Sequence, residues 1–161
     1  YEIGSEEVYR KELFDDFIDN PAFNMRDENN GLHVVWYVIK GNCKKFTDFD
    51  KEILDEIQKR KKIVCVVISQ IDCLDPEELK ELLAAIPVDY KVFRTSIKKE
   101  AIEYRDDDGK GYTDWKELCE WTYEKIPEAN KLLFAGSFSP GTFRCKFFHP
   151  EAFMSDTYHR T

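Results

Sequence analysis

The chain alternates between short, unbroken apolar runs and longer segments with helical spacing. His33-Val34-Val35-Trp36-Tyr37-Val38-Ile39 is the first apolar run and Ile63-Val64-Cys65-Val66-Val67-Ile68 the second. Neither shows the polar alternation of a half-exposed strand, so both predict parallel strands covered on two faces. The segment between them, Asp48 to Arg60, places Phe49, Ile53, Leu54 and Ile57 on one helical face. A shorter strand is predicted over residues 91–96. Upstream, residues 5–19 carry Val8, Leu13, Phe14, Phe17 and Ile18 near helical spacing, started by Ser5 and stopped by Asn20-Pro21. Residues 21–31 read as a polar loop.

Further along, Asp75-Pro76-Glu77-Glu78 predicts an N-cap, a Pro in the first helical turn and acids beside the helix N-terminus. That helix ends near Ala85, before Pro87. Residues 98–112 are charged and irregular. A helix is expected from about Thr113, with Leu118, Trp121 and Thr122 inward, and Pro127 kinks or restarts it before a last helix from Ala129 to Phe134. The order β-α-β-α-β-α predicts an α/β fold: three α-β-α layers around a mostly parallel sheet. Residues 1–138 form this unit, and residues 139–161 have no assignment.

In such sheets ligands sit outside the carboxyl ends of the strands. The second strand runs directly into Ser69-Gln70-Ile71-Asp72, and the third ends at Ser96. Two consecutive strands thus deliver polar residues to one edge. Asp72 is a candidate base-reading carboxylate; the bland alternative is a turn or cap near Asp75-Pro76. Ser96 is either part of the same pocket or an ordinary strand-end hydroxyl.

Composition narrows the function. With 161 residues, 42% hydrophobic and 14% aromatic, the chain builds one globular core. Its 32 acidic and 24 basic residues give a net charge of −8, which argues against nonspecific nucleic-acid binding. Five cysteines, at positions 43, 65, 73, 119 and 145, have no CxxC spacing. An odd set without metal spacing points away from a disulfide scaffold or zinc site, and towards a reducing, cytoplasmic setting. Cys65, inside an apolar strand, reads as a buried free thiol. The opening Tyr1-Glu2-Ile3-Gly4 is not a signal peptide, and no apolar run approaches the roughly 18 residues of a membrane span. Without an initiating Met, the chain is expected to begin inside a longer protein.

Other motifs are weaker. Asp106, Asp108, Asp114 and Glu117 fall at acid positions of an EF-hand loop and Gly111 at its glycine position. Lys110, however, puts a cation where a ligand oxygen belongs, so a solvated acidic loop is the expectation. His33, His149 and His159 form no set with a nucleophile, and His33 is expected to cap its strand. Lys59-Arg60-Lys61-Lys62 suits a helix C-terminus rather than a nucleic-acid patch. Trp36 and Tyr37 read as core.

Taken together, the strand into Ser69-Gln70-Ile71-Asp72, the strand into Thr95-Ser96-Ile97-Lys98, and Ile126-Pro127-Glu128 before Leu132-Leu133-Phe134 resemble the C-terminal portion of a P-loop GTPase domain of the Era-like and dynamin-like class. The resemblance covers residues 1–138, a partial G domain. It implies that Ser69, Gln70 and Asp72 stand in the Asn/Thr-Lys-x-Asp motif, with Asp72 accepting two hydrogen bonds from guanine. It implies that Ser96 and Ile97 stand in the motif whose backbone amide meets the guanine oxygen. Gln70 in place of Lys and Ile97 in place of Ala depart from the pattern.

No G-x-x-x-x-G-K-[ST] occurs in the sequence, nor the Asp-x-x-Gly segment of the second switch. GTP or GDP with Mg²⁺ therefore belongs to the full-length context, and this chain alone is not expected to hydrolyse GTP. No catalytic residue and no metal ligand is assigned. A missing neighbour strand would leave the first strand's edge free, which invites a homodimer. The alternative is a degenerate GTPase-like protein-interaction module that binds no nucleotide.

Overall fold

The computed structural model describes residues 3–23, 31–96 and 113–137. The two apolar runs are adjacent parallel strands, β1 (Val34–Lys40) and β2 (Ile63–Ser69), paired from Val34–Ile63 to Lys40–Ser69. A short third strand, β3 (Val92–Arg94), pairs parallel with β2 from Val66–Val92 to Ile68–Arg94. The order β1-β2-β3 makes β1 an edge strand among the described residues.

Two helices cross between the strands. α2 (Asp48–Lys59) begins at Thr47, whose side chain accepts from the Asp50 amide while the Asp50 carboxylate accepts from the Thr47 amide. α3 (Pro76–Ala85) begins with the same reciprocal box between Asp75 and Glu78. Asp75 is thus the helix cap, and Asp72 is left outside that role.

Both crossover helices pack on one face of the sheet. Ile53, Leu54 and Ile57 are wholly buried there with Val66 and Ile68, and Leu79 and Leu82 join the same cluster. The first helix, α1 (Ile3–Arg10), continues as π-helical turns over Lys11–Ile18 and adds Phe14 and Ile18 to this core. The sequence reading of a plain helix over 5–19 is corrected in that respect: the Asp19 amide reaches back five residues to the Phe14 carbonyl.

The opposite face is covered by α4 (Trp115–Lys125), whose Leu118 packs with Cys65, Val67 and Phe93. α5 (Glu128–Ser137) follows after Pro127 and is longer at both ends than expected. Trp36 bridges to this layer: its indole N–H donates to Thr122 Oγ1 at 2.9 Å. Tyr37 points to the other layer and donates to Asp50 Oδ1 at 2.7 Å, so burial and that carboxylate raise its pKa far above the ordinary tyrosine value. The expected α/β class with helices on both faces of a small parallel sheet is therefore present.

Candidate functional site

The carboxyl ends of the strands converge through two short 3₁₀ turns, Gly41–Cys43 after β1 and Ile71–Cys73 after β2. They pack tightly. A Cβ on Gly41 would lie 2.7 Å from the carbonyl oxygens of both Ser69 and Gln70, so only glycine fits. Gln70 adopts the left-handed conformation, φ 55°, which turns the chain sharply out of β2. Ile71 then plugs into the core, and Asp72 emerges half-buried beside it.

Thr95 and Ser96 close the site from β3, and both are buried. Thr95 donates its amide and its hydroxyl to the Ile68 carbonyl, at 2.7 and 3.0 Å, and its own carbonyl accepts from the Ile71 amide at 3.2 Å. Ser96 donates its hydroxyl to Asp72 Oδ1 at 2.5 Å. The Ser96 carbonyl accepts from the Trp115 indole at 3.1 Å, so the residue is held from both sides. Cys73 Sγ lies 3.7 Å from the other oxygen, Asp72 Oδ2, and acts as a weak donor.

The remaining candidates are placed as follows. Ser69 is the last residue of β2 and its hydroxyl faces the Ile39 carbonyl at 3.5 Å. Gln70 is exposed. Ile97 lies outside the described residues, as do the first seven positions of the EF-hand-like loop, Cys145, His149, His159 and residues 139–161. Asp114, an acid of that loop, instead grips Arg94: its carboxylate accepts from the Arg94 amide, Nε and Nη2 at 2.8 to 3.1 Å. Among the described residues, no group of three or more His, Cys, Asp or Glu side chains is arranged to hold a metal ion.

His33 does not simply cap its strand; its Nε2 faces the Asn130 amide at 3.3 Å, linking β1 to α5. In the basic run, Arg60 is committed to structure. It pairs with Asp19 and Glu56 and stacks on Phe14 at 4.2 Å.

Sequence reasoning missed Lys44 and its pairing with Glu78, at 2.5 Å beside the site. That ion pair holds the Glu78 carboxyl below its ordinary value and the Lys44 ammonium above its own. Lys44 sits in the left-handed region, φ 52°, just after the first 3₁₀ turn. The only sequence signal for it was Gly41-Asn42, a turn-forming pair after an apolar run.

No family model, curated protein or solved structure matches this chain.

Proposed function

We propose that this chain is the guanine-recognition half of a GTP-binding domain, a partial G domain. One observation carries the reading: Asp72, at the carboxyl edge of a parallel sheet, is fixed by Ser96 from the next strand. A carboxylate is acceptor-only and takes two N–H donors side by side. Guanine offers that pair, its ring N1–H and exocyclic amine. Adenine presents an unprotonated ring nitrogen at the matching place and is repelled. Ser96 orients the carboxylate by donating to one of its oxygens. Ser69 and Gln70 shape the approach, and Ile97 follows Ser96 in sequence where the base oxygen would be met.

The residues present fit a base and not a triphosphate. Without a glycine-rich Lys-Ser/Thr loop, nothing in this sequence supplies the cradle for phosphates and Mg²⁺. Hydrolysis is accordingly no activity of these residues. Calorimetric titration of GDP with an Asp72→Ala control tests the reading, which requires saturable heat that the control loses.

The alternative, a degenerate GTPase-like module that binds protein and no nucleotide, draws support from Gln70. An exposed neutral amide stands where a base-bracing cation would be expected. In either case β1 is an edge strand among the described residues, with Val38 more than half exposed. Pairing of that edge with a second copy is the assembly this reading expects, measured as a doubled mass by light scattering.

A further inference from the structure

The two 3₁₀ turns that build the site each end in a cysteine. Cys43 closes the turn after β1 and Cys73 closes the turn after β2. The strands that feed them are hydrogen-bonded neighbours up to the Lys40–Ser69 pair, and adjacent strands run about 4.8 Å apart. The Gly41 contact with the Ser69 and Gln70 carbonyls packs the start of the first turn against the exit from β2, and the two turns touch one another. Disulfides need Cα atoms roughly 4.4–6.8 Å apart, and carrying the Lys40–Ser69 register forward sets Cys43 level with Asp72, one residue from Cys73. Both thiols are free and exposed, whereas the other two described cysteines, Cys65 and Cys119, are buried.

We infer that Cys43 and Cys73 are a reversible thiol–disulfide pair, a redox-modification site at the carboxyl edge of the sheet. In the reduced state each sulfur faces a neighbour on its own turn: Cys43 Sγ is 3.6 Å from Asn42 Oδ1 and Cys73 Sγ 3.7 Å from Asp72 Oδ2. Closing the bridge rotates Cys73 away from Asp72. The modification therefore alters the surroundings of that carboxylate, whether or not Asp72 reads a base. In a reducing compartment such bridges are transient and regulatory rather than structural.

The oxidant class is a low-molecular-weight disulfide. The thiolate of one cysteine attacks a sulfur of that disulfide, forming a mixed disulfide and expelling one small thiolate. The thiolate of the second cysteine then attacks the protein-bound sulfur and expels the other. The two cysteines lose two electrons and two protons, and the small disulfide gains both as two thiols.

The test treats the reduced full chain with oxidised glutathione, followed by non-reducing digestion and mass spectrometry. The expected product is a peptide pair joined through Cys43 and Cys73, absent from Cys43→Ser and Cys73→Ser and reversed by dithiothreitol. Separate glutathione adducts on the two cysteines, a link from either one to Cys145 or to another copy, or no reaction would overturn the inference.

Discussion

The Ser96 hydroxyl and the Asp72 carboxylate, 24 residues apart in sequence, meet at 2.5 Å where β2 and β3 deliver their ends to one edge. The bond ties the β3 end to the turn that follows β2. A hydrogen bond to a charged acceptor contributes about 1.5–3 kcal/mol. Ser96→Ala should therefore destabilise the chain by about that amount and remove one of the bonds that orient Asp72. Chemical denaturation gives the stability. Under the proposed guanine reading, the same variant should also bind guanosine more weakly, because orientation of the carboxylate, and not only its charge, matters.

Gly41 tests the close approach of the two turns. Any side chain there meets two backbone carbonyls at 2.7 Å, and neither can move without disturbing β2. Gly41→Ala should cost about 1–3 kcal/mol, seen as a lower melting temperature. An unchanged melt would show that the turns are not packed as described.

The core makes a simpler prediction. Ile57 is completely buried between α2 and the sheet, so Ile57→Ala should cost about 2–5 kcal/mol. Val88, almost fully exposed, should tolerate Val88→Ala within about 0.5 kcal/mol.

Acid should weaken the fold through its ion pairs. The hydrogen bond from Lys44 and the Asp75 backbone hold the Glu78 carboxyl below its ordinary value of 4.5, and Arg60 does the same for Glu56. Groups with lowered folded pKa values stabilise fully above 4.5 and lose that contribution as pH falls through the folded values. Melting temperature should therefore drop below about pH 4.5. Lys44→Met should flatten that acid limb; an acid limb as steep as in the parent chain would discount the pair.

Cysteine labelling separates exposed from buried thiols. Burial pushes the Cys65 thiol up to about 12, so it stays protonated and unreactive at neutral pH. In the native reduced chain, Cys43 and Cys73 should label quickly and Cys65 only after denaturation. Fast native labelling of Cys65 would mean that β2 is not the central, covered strand.

Much of the fold was legible because its signals are local. The two apolar runs read as strands, and Asp75-Pro76 announced α3 with its cap in the right place. β2 is buried from Cys65 to Ile68, whereas β1 is less covered than its unbroken apolar run suggested, with Val38 exposed. What was not legible depends on the third dimension. The 3₁₀ turns at Gly41–Cys43 and Ile71–Cys73 follow from backbone packing between β1 and β2. The π-helical stretch departs from the 3.6-residue spacing used to find helices. Asp114 read as part of an acidic loop because its partner, Arg94, is 20 residues away. At the candidate site, Asp72 and Ser96 were both legible as polar ends of consecutive strands, but their bond was not. Gln70 was legible as a departure from a motif, while its left-handed backbone was not.

The central claim is that Asp72 reads guanine. The most direct measurement is a titration of guanosine, with adenosine as control, into isotope-labelled chain followed by amide NMR shifts. Using nucleosides removes the phosphate site from the question. The account predicts saturable shifts at Asp72 and Ser96 with guanosine, weaker or no shifts with adenosine, and their loss in Asp72→Ala. Equal responses to the two nucleosides, shifts that survive in Asp72→Ala, or no response to guanosine would contradict it.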